Sequence, residues 1–359
     1  MKMNFPHIPA LYRTAVLPIT LLGLFLLGGC ASVGPDYAKP DVSVSDQWHT
    51  ALKGGLKPAA ADPAVLAAWW TTLNDEVLSG LIERAVAGNL NLKMAKARVR
   101  QARASRRAAV AEFFPSVDSS ASGKRVYSSA DTVADRVNDL YTAGFDASWE
   151  IDIFGGVRRS VEAAGADLDA AQEDLRDVLV SLLGEMAMNY IDVRSYQARI
   201  EAAEGNVAKQ AETYQLTLWR QQAGLGDELA VQEALSNLES TRSQVPDLRS
   251  GLEAALNRIA VLLGEQPGKV HKELEKSASI PAPPVDVAVG VPADMLRRRP
   301  DVRRTERELA AQTARVGVAT AELYPKFTLM GSIGIEALSV NRLVSTPTRS
   351  YSFGPSISW

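Results

Sequence analysis

Cys30 is the one thiol in a chain of 359 residues, and its neighbours decide what a thiol could do there. Lys2 and Arg13 come first, then an apolar run, AVLPITLLGLFLL, then Leu27, Gly28, Gly29 and Cys30. Basic, then apolar, then small residues at a cleavage point is the order of an export signal. A thiol at such a cut can be acylated and become the first residue of the processed chain. A single cysteine excludes an internal disulfide. His7, His49 and His271 are scattered, with no cysteine or carboxylate at ligand spacing, so no metal site is expected. Neither a nucleophile beside a base nor a glycine-rich phosphate loop after a strand is present, so no cofactor and no enzymatic activity are expected. Two constellations remain: the carboxylates Asp146, Glu150 and Asp152 along one alternating segment, and the turn Gly224, Leu225, Gly226, Asp227 between two long helical stretches.

The composition, 46% hydrophobic and 23% charged, is that of an ordered protein. A formal net charge of -3 gives no field that would recruit nucleic acid, and the arginines at 103–107 and 297–304 read as solvated helix faces. The residues around Cys30 resemble the lipobox of bacterial lipoproteins. That resemblance implies a signal peptide over 1–29, acylation at Cys30 and a lipidated segment over 30–61. Several acyl chains, at about 0.8 kcal/mol per buried methylene, hold a protein on a membrane far better than one. Ala31 and Ser32 stand where such lipoproteins carry an aspartate when they stay at the inner membrane, so the outer membrane is implied.

The positions of these groups depend on a repeat. YTAGFDASW at 141–149 recurs as YSFGPSISW at 351–359, an offset of 210 (351 less 141). The same offset pairs AVAEFFPSV at 109–117 with ATAELYPKF at 319–327, and NLNLKMAKARV at 89–99 with RPDVRRTEREL at 299–309. Asn91 and Asp301 read as helix N-caps there. After Trp149 the first copy runs on through more than a hundred residues of helical sequence, whereas the chain ends at Trp359, the equivalent of Trp149. The second helical hairpin is therefore expected to be missing, and a chain cut short after Trp359 is expected not to build a sealed tunnel.

Each copy divides into helices and strands. Residues 62–114 read as helices, 115–154 as strands, 155–264 as a long helical hairpin and 265–290 as a linker; 291–324 and 325–359 repeat the helices and strands. Along 141–153 one parity is Tyr141, Ala143, Phe145, Ala147, Trp149, Ile151 and Ile153; the other is polar and includes Asp146, Glu150 and Asp152. In the second copy Phe327 and Leu329, and then Tyr351, Phe353 and Trp359, continue the apolar parity. Val161, Leu168, Leu175 and Leu182, then after a step of four Met186, Val193, Ile200, Val207 and Tyr214, form a heptad with a stutter, which straightens a supercoil. Val231, Leu238, Val245, Leu252 and Ile259 repeat every seven on the return, and Pro246 is expected to kink that helix or remove one hydrogen bond.

Strands of this length, with aromatic residues at their ends, suit a membrane wall. Four strands cannot close a barrel, and an unpaired edge in lipid leaves backbone groups unsatisfied. The wall must then be shared: two copies would make a filled eight-stranded barrel, three a twelve-stranded one with a water-filled lumen. The expected architecture is mainly α with transmembrane β. Asp146, Glu150 and Asp152 face the lumen, while Tyr141, Phe145, Trp149, Phe327, Leu329, Tyr351, Phe353 and Trp359 face lipid.

The segments WWTTLNDEVLSGLIERAVAGNLNLKMAKARVRQARA, ASWEIDIFGGVRR, QQAGLGDEL and VPADMLRRRPDVRRTERELAAQTARVGVATAELYPKFTLMGSIG, with the lipobox, resemble the TolC-like outer membrane factors, in the lipoprotein (NodT-type) branch serving resistance-nodulation-division efflux pumps. The resemblance implies a homotrimer in the outer membrane that extends into the periplasm. Its partners would be a periplasmic adaptor and an inner-membrane transporter, and the adaptor would dock at Gly224, Leu225, Gly226 and Asp227. Two other readings stay open: a periplasmic coiled-coil adaptor or structural lipoprotein, and a type I secretion outlet within the same fold.

Overall fold

A computed structural model describes residues 32–359 other than 42, 46, 60, 61, 129–135 and 286. The expected signal peptide and Cys30 lie outside the described residues. In chain order come β1 (Leu56–Lys57), α1 (Pro63–Ala67), α2 (Glu76–Gly88), α3 (Leu90–Ala111), β2 (Ser116–Ser128) and β3 (Arg136–Ile151). After them come α4 (Gly156–Gln222), α5 (Glu228–Leu263), α6 (His271–Leu274), β4 (Val287–Ala288), α7 (Pro292–Arg298), α8 (Pro300–Ala321), β5 (Lys326–Ala337) and β6 (Arg349–Ser358). Two compact units share the chain: the residues up to Pro40 with Arg100–Ala170 and Thr305–Trp359, and Asp41–Val99 with Ala171–Arg304.

The first unit holds an antiparallel sheet in the order β2-β3-β5-β6, so β2 and β6 are its two outer strands. The repeat extends to the pairing. Helices α3 and α8 start and stop 210 residues apart. Ser116 pairs with Ser148 in the first copy and Lys326 with Ser358 in the second, the same register once 210 is subtracted. Even single side chains repeat: the Ser122 and Thr142 hydroxyls bond at 2.9 Å, and their equivalents, Ser332 and Ser352, at 2.8 Å. The indole N–H of Trp149 donates to the carbonyl of Phe113, and that of Trp359 to the carbonyl of Leu323. Each tryptophan thus ties the end of its strand to the turn where the preceding helix finishes.

The second unit is helical, and its core is the heptad seam. Leu182, Met186 and Val193 are buried against Leu256, Ile259 and Leu263 of α5 and Leu78, Leu81 and Ile82 of α2. Burying both Leu182 and Met186 across the four-residue step is what a stutter provides. Pro246 lies inside α5 without ending it, at the loss of the bond its missing N–H would have made. Asn89, not Asn91, caps α3: Asn89 is extended at ψ 129°, its side-chain oxygen accepts from the Leu92 N–H at 2.9 Å, and its amide nitrogen donates to the Leu262 carbonyl. Gly88, the last residue of α2, passes so close to the Leu263 carbonyl that a Cβ there would collide. In the second copy α8 begins at Pro300, so Asp301 sits inside its first turn rather than before it.

A buried polar group fastens three segments of the helical unit. The Tyr190 hydroxyl donates to Asp75 at 2.7 Å, while the other carboxylate oxygen of Asp75 caps α2 at the Leu78 N–H. Arg194 donates to the Tyr190 hydroxyl and to the carbonyl of Lys276. Burial, and then the bond to Asp75, raise the Tyr190 phenol above its ordinary pKa, so it stays a donor.

Candidate functional site

In a β-strand successive side chains face opposite ways, and residues directly paired across a ladder share a face. The registers therefore extend the parity of one strand to the whole sheet. Val117, Ala147, Gly331 and Phe353 form one row, and Ser119, Phe145, Ile333 and Tyr351 the next. Trp149 with Leu329 and Ile151 with Phe327 continue that face. Tyr141, Phe145, Trp149, Phe327, Leu329, Tyr351 and Phe353 all fall on it. It is uncovered in the chain: Phe145 is 58% exposed, Phe353 74% and Tyr351 86%. A contiguous exposed apolar surface of this kind marks contact with a membrane or another protein. Trp359 follows the last residue of β6, its indole held to the Leu323 carbonyl.

The opposite face is hydroxylic and acidic. Asp118, Asp146, Ser332 and Ser352 make one row; Ser116, Ser148, Met330 and Gly354 another; Glu150, Thr328 and Ser356 a third. Asp146 and Glu150 sit there. Asp152 does not belong to the rows, because β3 ends at Ile151. Its carboxylate accepts from the backbone N–H groups of Val157 and Arg158, at 3.1 and 3.0 Å, and from the Arg158 guanidinium. Asp152 thus anchors the first turn of α4, where orphan N–H groups and the positive end of the helix dipole favour an anion.

Sequence reasoning missed Asp118, which lies directly opposite Asp146. Two carboxylates facing one another across strands repel and are tolerated where water solvates both. No signal within β2 alone reveals this, since the alternation of VDSSASGK is weak and the pairing is non-local. Beyond Tyr141 the apolar face ends in a bidentate ion pair, Arg125 to Asp139 at 2.7 and 3.0 Å, so that end of the sheet lies in water.

The hairpin turn is the other expected site. The Gly224 N–H donates to the Gln221 carbonyl and the Leu225 N–H to the Arg220 carbonyl, the paired bonds that close a helix through a left-handed residue. Gly224 supplies that residue at φ 73°, and Gly226 needs no positive φ. Asp227 caps α5 by accepting from the Ala230 N–H at 2.8 Å. Leu225 is 72% exposed at the apex, with Leu216, Trp219 and Leu229 exposed beside it. Those three were legible as apolar residues off the heptad seam.

The chain matches the family described as "Outer membrane efflux protein" over residues 81–265 and 291–359. Nodulation protein T of Rhizobium leguminosarum bv. trifolii is 33% identical over 335 residues, covering 92% of this chain and 70% of that protein. The solvent efflux pump outer membrane protein SrpC of Pseudomonas putida is 30% identical over 345 residues, covering 95% of this chain and 73% of that protein. Among solved structures, the outer-membrane channel OprN superposes with a TM-score of 0.83 at 37% identity, over 92% of this chain and 73% of that one. A two-faced sheet, a seamed helical hairpin and a match over most of its length place this chain in the outer membrane efflux protein family.

Proposed function

We infer that three copies of this chain form the outer membrane duct of a tripartite, resistance-nodulation-division type efflux pump, extending into the periplasm. One observation carries the reading: the pairing registers keep an uncovered apolar face and a hydroxyl-and-carboxylate face separate across all four strands. A soluble sandwich would cover the apolar face with a second sheet. Here lipid covers it, and the polar rows line water. In lipid the outer edges of β2 and β6 cannot stay unpaired, each unsatisfied backbone group costing several kcal/mol, so other copies must complete the wall. Three copies give twelve strands and a lumen wide enough for water.

Transport through such a duct is passive. The serine and threonine hydroxyls and the carboxylates Asp146 and Glu150 hydrate the passage without transforming its cargo, and this reading assigns the chain no catalysis. The adaptor docks at the turn Gly224, Leu225, Gly226, Asp227, where a glycine backbone permits close approach and Leu225, with Trp219 and Leu229, offers apolar contact. Acylation at Cys30 adds a second hold on the same membrane. Reconstitution in planar bilayers of the chain continued by a second helical hairpin, the half expected to be missing after Trp359, tests the duct. Discrete conductance steps are expected; a monomer that stays in water once its acyl groups are removed, with no conductance, would overturn the reading.

A further inference from the structure

Helix α3 carries seven lysines and arginines and no acid between Leu90 and Ala111. Arg98 reaches Asp174 at 3.7 Å. Arg100, Arg103 and Arg107 are exposed, and among the described residues no acceptor bonds any of them. Steps of three and four put them on one face. A solvated row of cations without counter-charge leaves a positive field on that face, which attracts anions.

The repeat indicates which way the row faces. Subtracting 210, Arg100, Arg103 and Arg107 are the equivalents of Ala310, Thr313 and Gly317 on α8. There the N-terminal segment covers the row. Gly34 lies against Gly317, a Cβ on Gly34 falling 2.5 Å from the Gly317 Cα, and Tyr37 and Lys39 both reach Glu306, one step further back on the same row. Arg159 clamps that segment through the carbonyls of Val33 and Gly34 and the Asp36 carboxylate. The segment leads back to Cys30, the expected point of lipid attachment, so the side it covers is the outer side of the wall. Helices α3 and α8 feed strand pairs of identical register through the same tryptophan bond, so α3 turns its equivalent row outward too. With Arg107 in place of Gly317, no backbone can lie there, and the guanidinium groups are presented instead.

The upper end of the row stands nearest the height of a headgroup layer. Arg107 is four residues, about 6 Å, from the end of α3 at Ala111, and the first apolar row of the sheet begins at Val117. Arg103 lies one turn lower and Arg100 one more. The polar layer adds roughly 5 to 7 Å to each side of the hydrocarbon, and an arginine stem lets its head reach upward several ångströms.

We propose that Arg107, with Arg103 reaching up from the turn below and Arg100 extending the basic face beneath them, binds the phosphates of anionic phospholipids in the periplasm-facing leaflet of the outer membrane, seating the foot of the barrel on that layer. This rests on the reading of the sheet as a membrane wall. The test is native mass spectrometry of the full-length trimer, delipidated in a neutral detergent and titrated with phosphatidylglycerol or phosphatidylcholine. Arg100→Gln, Arg103→Gln and Arg107→Gln together should weaken phosphatidylglycerol binding about ten- to a hundredfold and leave phosphatidylcholine unchanged. The three Arg→Lys changes together should retain most of the binding and thereby separate lost charge from a misfolded chain. Equal binding of the two lipids, or a triple glutamine variant that binds like the parent, overturns the proposal. So does displacement of phosphatidylglycerol by millimolar inorganic phosphate, which would make this a site for the free anion. Loss of the trimer in the glutamine variant, in detergent without lipid, overturns it too, since the row would then face another copy. A chain that conducts in planar bilayers yet fails these tests loses the lipid site alone; one that never conducts loses the duct.

Discussion

Placing arginine at Ala147 and at Ser148, one at a time, tests the assignment of faces directly. The two are consecutive in β3 but belong to opposite rows, Ala147 with Val117, Gly331 and Phe353, Ser148 with Ser116, Met330 and Gly354. The apolar parity from Tyr141 to Ile151 spans ten steps. At about 3.4 Å per step and a tilt of about 40°, that is about 26 Å along the membrane normal, close to the roughly 25 Å band of a membrane barrel. Ala147 lies one step past its middle, about 3 Å from the midplane. Arginine there should cost about 2 to 4 kcal/mol per copy, or about 30- to 1,000-fold in the folding equilibrium. Ser148→Arg keeps its charge in the aqueous lumen and should stay within about 0.5 kcal/mol of the parent. Urea titrations of the protein folded into phosphatidylcholine vesicles, followed by tryptophan fluorescence and protease protection, measure both. Equal costs, or a larger cost at Ser148, would refute the assignment of lipid and water to these faces.

Three further outcomes follow from particular contacts. Tyr190→Phe removes the hydroxyl shared by Asp75 and Arg194 and leaves a nearly buried guanidinium short of a partner; a loss of about 1 to 3 kcal/mol is expected in chemical denaturation. At the hairpin turn, Gly224→Ala forces a Cβ into left-handed backbone at φ 73° and should cost about 1 to 2 kcal/mol, whereas Leu225→Ser should leave stability unchanged and weaken cross-linking to a cognate adaptor. The Asp301 carboxyl is held at about 2 against an ordinary 3.8, first by its hydrogen bonds to the Arg299 guanidinium and then by the Val302 N–H. A depressed carboxylate contributes stability above its unfolded value and loses it as pH falls through its folded one. The stability difference between the parent and Asp301→Asn should therefore be constant above about pH 4 and vanish towards pH 2, as read by thermal melts across that range.

Much of this was legible in the residues themselves. Parity along 141–151, the seven-residue seam with its four-residue step, and the Gly224-to-Asp227 turn are local patterns, each set by the geometry of one element. The offset of 210 is also a property of the string alone, and the paired strands obey it to the residue. Strand ends were less legible: Asp152 continues the alternation on paper, yet the orphan N–H groups of α4 capture it, a competition between ladder and helix dipole that no periodicity records.

Sequence by itself determined which side of each strand is apolar, which face of each long helix is a seam, and that two copies of one unit are present. Tertiary structure alone decided that Asp118 stands opposite Asp146, that Arg159 gathers the N-terminal segment, and that Asp75, Tyr190 and Arg194 meet across more than a hundred positions of chain. The physical reason is range. Side-chain direction repeats with the backbone every two or 3.6 residues and is written locally, whereas the partner of a buried charge or an edge strand is selected by whatever the fold brings within about 3 Å.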